Sequence, residues 1–320
     1  MKKALSELLN SFENTVVEAD GITPADTKAA ETAYIEHLVF DNRDVTSNTL
    51  FFALPGTHTT GNRFIASAID NGATAVVFQD TFSDDEKSEI KTAVTKAVEG
   101  GRQAPVFVKV ESSRFAMSPL ATCFYDDPSS KLCIIGVTGT EGKSSTVAFI
   151  WQLLNLTGNK AGFISTVQYS LGGPAIDNPQ HQTTPEATIV QRELYEMLQN
   201  GCTHAVVESS SHGLSERTNR LGNVQFDVGV FMNVTLEHLE FHGTYEQYRF
   251  DKANLFRALD KYSHEKTIGG KQVKVPSFGV VNLEDPAATY FASATKKQVI
   301  GFTTEGKAGK SAGEQLDAKP

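Results

Sequence analysis

Residues 132–146 read Leu-Cys-Ile-Ile-Gly-Val-Thr-Gly-Thr-Glu-Gly-Lys-Ser-Ser-Thr. The apolar run Leu132–Val137 has strand length, the glycines that follow form a loop, and Ala148, Phe149, Ile150, Trp151 and Leu154 continue as an apolar helix. A strand passing through a glycine loop into a helix is the unit of a parallel α/β sheet, and this stretch therefore decides the fold class. Glycines let backbone N–H groups crowd around phosphate oxygens, and the helix start adds positive potential. Lys143 is placed for the outer phosphates and Ser144 for a Mg2+ ion. The strict G-x-x-x-x-G-K-[ST] pattern is missed by one place, because Val137 stands where the first glycine belongs and Gly136 comes one residue early. A nucleoside triphosphate loop and a glycine turn of another kind both remain open, and the Lys-Ser pair favours the first.

Working outward, the same alternation runs through the chain. Before the loop, strands are expected at His37–Phe40, Leu50–Leu54, Thr74–Phe78 and Val106–Val110, with helices at Arg63–Asn71, Asp84–Val98 and Arg114–Tyr125. Asp126-Asp127-Pro128-Ser129-Ser130 is a turn-rich break. After it come strands at Gly162–Ser165, Thr203–Glu208, Phe226–Phe231, Ser277–Val281 and Gln298–Gly301, and helices at Pro185–Asn200 and Tyr245–Leu259. The polar, glycine-rich stretch Gly172–Thr184 reads as an excursion, and Asp177-Asn178-Pro179 within it as a loop. The expected organisation is an α/β domain over 1–130, a P-loop-type doubly wound domain over 131–304, and a disordered tail over 305–320.

The 320 residues suffice for two domains with proper cores. A net charge of −9 disfavours nucleic acid and anionic membrane as partners. Cys123, Cys133 and Cys202 are scattered, which suits buried thiols in a reducing cytoplasm better than a metal cluster. Met1-Lys2-Lys3 precedes Leu5, Leu8 and Leu9, but polar interruptions make this an amphipathic helix and not an export signal.

Three further segments carry chemistry to the carboxyl ends of the strands, where ligands gather in open α/β sheets. Glu208 ends an apolar run and precedes Ser209-Ser210-Ser211-His212-Gly213, so it is either a carboxylate for phosphate-bound Mg2+ or an exposed strand-end glutamate. His238 and His242, four residues apart, lack the surrounding pattern of a zinc protease; one as a metal ligand and both as surface histidines stay open. Lys252, on composition alone, is a solvated helix lysine.

Taken together, the segments resemble the Mur ligase family, and within it the members that add the third residue of the peptidoglycan stem peptide. The likeness rests on Val137–Ser144, Thr183-Thr184-Pro185-Glu186, Glu208–Leu214, Asn233–Gly243, and Lys252 with Leu255-Phe256. Upstream, Asp41–Val45, Leu50–Gly56 and Gly61 with Phe64-Ile65 resemble the family's UDP-binding first domain. The resemblance implies an ATP-dependent ligase acting on UDP-MurNAc-L-Ala-D-Glu, with an acyl phosphate attacked by a diamino acid (lysine, diaminopimelate or ornithine). It assigns Thr138, Gly139, Thr140, Glu141, Gly142, Lys143, Ser144, Ser145 and Asn233 to ATP, and Lys143, Glu208, His238 and Lys252 to catalysis. Ser144 and Glu208 are implied on one Mg2+, and Glu208, His238 and Lys252 on a second. An ammonium has no lone pair for a cation, and the family resolves this by carbamylation, so N6-carboxylysine is expected at Lys252. Thr183, Thr184, Ser210 and Arg220 are implied for the muramoyl-dipeptide, and Asn42, Arg43 and His58 for the uridine diphosphate.

The resemblance makes 1–130 the UDP-substrate-binding domain and 131–304 a central ATPase domain incomplete at its C-terminal side; Glu141 departs from the asparagine usual at its loop position, and a third domain expected of the family is not recognisable in the chain. The reading is of a cytoplasmic monomer handling small molecules. Its alternatives are a non-catalytic nucleotide or UDP-sugar binding fragment, another amide ligase of the same family, and a small-molecule kinase.

Overall fold

The computed structural model describes residues 1–56, 59–179, 182–237 and 239–304. It divides into two compact units, Met1–Asp126 and Asp127–Pro320. At the division Asp126 and Asp127 both take left-handed backbone (φ 58° and 46°), a conformation aspartate tolerates better than most residues. Among the described residues no helix is long and apolar enough to cross a membrane.

The first unit is built on a five-stranded sheet. Parallel strands His37–Val39, Thr49–Phe52, Ala73–Phe78 and Val106–Lys109 are joined on the outside of the last by the antiparallel strand Thr15–Val17. Leu50, Phe51, Phe52, Val76, Val77 and Phe78 are all buried, the mark of a sheet covered on both faces. The helix Asp84–Glu99 starts on a capping box between Ser83 and Glu86, and Ile65–Asn71 ends on Gly72 in the left-handed region. Thr15–Val17 had no counterpart in the sequence reading, because three residues give too little alternation to register.

The second unit carries an eight-stranded sheet. Six strands are parallel, in the spatial order Ala161–Ile164, His204–Glu208, Cys133–Thr138, Val228–Phe231, Phe278–Asn282, Gln298–Phe302. The chain leaves Cys133–Thr138 for one side and returns to its other side, so this strand marks the switch point. Its residues alternate between two cores. Ile135 and Val137 pack with Val147, Phe163 and Val206, while Ile134 packs with Val190, Leu194, Phe226 and Leu255. Gly136 faces the second core, where an added Cβ would lie 2.4 Å from Leu255 Cδ1 and 2.8 Å from Phe226 Cε1. The glycine that looked one place early thus belongs to helix packing, and the loop proper begins beyond Thr138.

Two elements correct the sequence reading. The excursion after Ser165 contains antiparallel strands Gln168–Ser170 and Ile176–Asp177, which extend the sheet at one edge, so it is not wholly parallel. Asp177 ends the outermost strand, and its carboxylate accepts from Gln168 Nε2 at 3.1 Å. The polar segment Glu265–Lys274 forms a hairpin, Glu265–Ile268 with Lys271–Lys274, turning on Gly269 and Gly270 with φ of 57° and 77°.

That hairpin is anchored by a buried charge cluster. Asp227, Lys266 and His264 are almost wholly inaccessible. Asp227 accepts from Ile134 N at 2.8 Å, pairs with His264 Nδ1 at 2.9 Å and takes Lys266 Nζ in a short contact. Lys266 also donates to Leu132 O and Gln225 O, both at 2.8 Å. Burial pulls its amine below the ordinary lysine range, against the opposing pull of Asp227. Cys133 and Cys202 are buried as expected, and burial pushes the Cys133 thiol up to about 12; Cys123 is partly exposed.

Candidate active site

The site is assembled at the carboxyl ends of Cys133–Thr138 and its two neighbours. Gly142 sits in the left-handed region (φ 79°) and starts the helix Lys143–Leu156, so the backbone turns sharply into a helix N-terminus. Lys143 Nζ folds back to donate to Thr140 O at 2.8 Å. Thr140 is buried, its hydroxyl accepting from Thr235 N at 3.0 Å and lying 3.2 Å from the Tyr248 hydroxyl. Thr138 Oγ1, also buried, has no hydrogen-bond partner among the described residues. Glu141 and Ser145 are exposed at the loop tip and the first helical turn, and Gly139 packs its backbone beside Met232.

Asn233 acts on the loop itself. Its Oδ1 accepts from Thr140 N at 3.0 Å and Glu141 N at 2.8 Å, and its Nδ2 donates to Glu141 O at 3.1 Å. The side chain ties the loop to the turn that follows the strand Val228–Phe231, two residues beyond its end. Asn233→Ala removes all three bonds, and if the loop takes ATP, as the resemblance implies, the affinity measured by titration calorimetry is expected to fall about 10-fold, or about 1.4 kcal/mol. Unchanged affinity would mean that the loop keeps its shape unaided.

Glu208 reaches the same place from its strand. It is 1% exposed, so the exposed strand-end reading is overturned. Its two oxygens lie 3.1 and 3.0 Å from Ser144 Oγ, and one accepts from Thr166 N at 2.9 Å. A carboxylate converging on a hydroxyl is a hard-oxygen donor pair of the kind Mg2+ takes. No cluster of three His, Cys, Asp or Glu side chains suited to a metal occurs among the described residues, so any ion here would depend on Ser144 and Glu208 with phosphate oxygens or water.

Lys252 is the largest departure from its composition. Composition alone suggested a solvated lysine; the structure buries it (2% exposed), with Nζ donating to Gly139 O at 2.6 Å and lying 4.5 Å from the Tyr248 ring centroid. Burial, reinforced by the Lys143 ammonium, pulls its amine well below the ordinary lysine range, while Glu237 and Glu208 pull the other way. Tyr248 and Lys252, four apart on the helix Tyr245–Ala258, share one face, a spacing that was readable in the sequence.

Of these groups, Thr140, Lys143, Tyr248 and Lys252 line a cleft of about 330 Å³ together with Gln182, Thr183, Thr184, Ser210, Ser211, His212 and Arg220. The four residues expected for a muramoyl-dipeptide, Thr183, Thr184, Ser210 and Arg220, all lie on it. Thr184 Oγ1 lies 2.9 Å from Ser210 Oγ and takes Ser210 N at 3.1 Å. Arg220 donates to Thr184 O at 2.8 Å and to the buried Glu186 carboxylate at 2.7 Å, and its Nε has no hydrogen-bond partner among the described residues. In the first unit, Asn42 Nδ2 donates to Ser67 Oγ at 3.1 Å, and the exposed Arg43 forks the Asp41 carboxylate, holding it below the usual range. His58 and His238 lie outside the described residues, as does the tail 305–320. His242, read as a surface histidine or a ligand, is instead buried between Ser211 and Asp251, neither of which the sequence singled out as its partner.

Residues 137–319 match the Mur ligase middle domain, and residues 34–122 match the Mur ligase family, catalytic domain. The chain is 54% identical over 265 residues to a UDP-N-acetylmuramyl-tripeptide synthetase of Treponema denticola, covering 83% of this chain and 46% of that protein. It is 50% identical to the protein of the same name from Treponema pallidum, covering 84% and 46%. Among solved structures, a UDP-N-acetylmuramoyl-L-alanyl-D-glutamate–2,6-diaminopimelate ligase superposes with a TM-score of 0.65 at 20% identity, over 96% of this chain and 54% of that one, which is a likeness of fold. The chain spans about half the length of the curated relatives it matches. With its loop, its cleft and most of its length matched in this way, the chain belongs to the Mur ligase family.

Proposed function

We propose that the protein is an ATP-dependent amide ligase that adds a diamino acid, as third residue, to UDP-MurNAc-L-Ala-D-Glu in the cytoplasm. The observation that carries this reading is that one cleft is lined by Thr140 and Lys143 of a phosphate-type loop and by a buried lysine of depressed basicity, with Ser144, next in the chain to Lys143, bonded to Glu208. Its relatives' names supply the substrate class.

On this reading the loop and Lys143 hold the triphosphate, and Thr183, Thr184, Ser210 and Arg220 hold the dipeptide with its terminal carboxylate towards Lys143. The carboxylate oxygen bonds to the γ-phosphorus as the bond to ADP breaks, giving an acyl phosphate. The amine then forms the N–C bond as the C–O bond to phosphate breaks. Ser144 and Glu208 would hold one Mg2+, and Glu208, His238 and a carbamylated Lys252 a second; the ions would offset the charge that develops on the transferred phosphoryl group. Asn42, Arg43 and His58 serve the uridine diphosphate.

Calorimetric titration of UDP-MurNAc-L-Ala-D-Glu against UDP-GlcNAc, with and without Mg-ATP, tests the assignment. Clear preference for the muramoyl-dipeptide, followed by ADP release on adding a diamino acid, is the expected result. ATP binding without either sugar nucleotide would overturn the substrate, and binding without turnover would indicate a nucleotide-binding module.

A further inference from the structure

One cluster at the cleft takes no part in the steps above. His242 closes the short helix Leu239–His242 with its side chain wholly buried, and Asp251 Oδ2 lies 2.7 Å from its Nδ1. The other Asp251 oxygen accepts from Gln247 Nε2 at 2.9 Å, so the carboxylate is held from two sides. On the far edge of the ring, Nε2 lies 3.0 Å from Ser211 Oγ. Ser211 is 2% exposed and lines the cleft beside Lys143 and Lys252. Three separate helices thus meet in one buried line of hydrogen bonds, Asp251–His242–Ser211.

The polarity of the line follows from its ends. A carboxylate offers only lone pairs, so Nδ1 carries the proton it shares with Asp251. A neutral imidazole then has a bare Nε2, which accepts the Ser211 hydroxyl proton. The serine oxygen is left with lone pairs to offer the cleft, and no acidic side chain is among the described lining residues. An acceptor backed by an imidazole and a carboxylate suits a ligand group that must give up a proton. In amide formation that group is the attacking amine.

We propose that Ser211, polarised by His242 and Asp251, takes the proton of the amine during amide formation; this rests on the ligase reading above. As the N–C bond forms and the C–O bond to phosphate breaks, a proton passes from nitrogen to Ser211 Oγ, and the serine's own proton passes to His242 Nε2. Asp251 stabilises the imidazolium, and the proton then returns through Ser211 Oγ to the departing phosphate, which leaves as hydrogen phosphate. Ser211 is the catalytic residue, and His242 and Asp251 are positioning residues.

The test compares the chain with Ser211→Ala, His242→Gln and Asp251→Asn, each supplied with UDP-MurNAc-L-Ala-D-Glu, Mg-ATP and a diamino acid. Amide formation is expected to slow about 100-fold in each, with KM for ATP and for the muramoyl-dipeptide held within about twofold. Trapping of the acyl phosphate by hydroxylamine, a weakly basic nucleophile, should be slowed far less, which separates the amine step from folding and phosphoryl transfer. In 15N spectra of the labelled histidines, the His242 proton is expected on Nδ1 in the wild type and on Nε2 in Asp251→Asn, where the amide becomes a donor. A wild-type proton on Nε2, undiminished amide formation in the variants, or equal loss of hydroxamate and amide would overturn the relay alone. A wild-type chain that forms neither product would remove the ligase reading, and the relay with it.

Discussion

Lys252→Ala is expected to reduce ligation about 1,000-fold, equivalent to about 4 kcal/mol of barrier, while binding of the UDP-substrate stays near its wild-type value. Lys252 is buried and its amine is held well below the usual range, first by burial and then by Lys143. A neutral amine can add to CO2, forming an N–C bond and releasing a proton, and so become an anionic carbamate. In the proposed site that carboxylate joins Glu208 on a metal ion, and alanine supplies neither charge nor oxygen. Short carboxylic acids added to the variant should restore part of the rate. Because Lys252 also fills buried volume, Lys252→Met serves as a control that keeps bulk and removes the nitrogen. Full turnover in either variant without added acid would dispose of the carbamate.

Asp227→Ala should produce the largest loss of stability, about 3–5 kcal/mol, because it leaves Lys266 and His264 buried without their shared partner. For a unit of this size that corresponds to a fall of about 10 °C in Tm, read from the thermal unfolding of the chain. Asp227→Asn keeps the volume and one acceptor for Ile134 N, and its loss should be smaller. A shift of less than about 1 kcal/mol for alanine, within the range of an exposed pair, would show that the cluster is not needed to hold the hairpin in place.

What the sequence revealed and what it hid follow from range. The strand, loop and helix around Gly139–Ser144 were legible because every signal is local: an apolar run, glycines, then a lysine and serine at a helix start. Lys252 was not legible as a buried group, since its neighbours Arg249, Phe250, Asp251 and Asn254 read as an ordinary mixed helix face. Its burial arises from a strand far away, where Gly136 lets Leu255 approach. The Glu265–Lys274 hairpin escaped for a related reason, being polar outside and held by Lys266 reaching Leu132 O across 134 residues. Asp251, His242 and Ser211 are separated by 9 and 31 residues, distances over which side-chain pairing leaves no periodic trace. The family resemblance supplied site roles that spacing alone could not, yet it had no place for this line of bonds or for the contact of Asn233 with the loop backbone.

That contact has a kinetic corollary. A glycine-rich loop without internal support would sample many shapes, and a nucleotide would have to order it on arrival, at a cost in both affinity and association rate. Here Asn233 fixes the backbone at Thr140 and Glu141 through three hydrogen bonds of its own side chain. The loop is therefore preorganised, and on the proposed reading nucleotide capture should resemble docking onto a rigid cradle, with stopped-flow association in a single phase and no slower step of loop ordering after it.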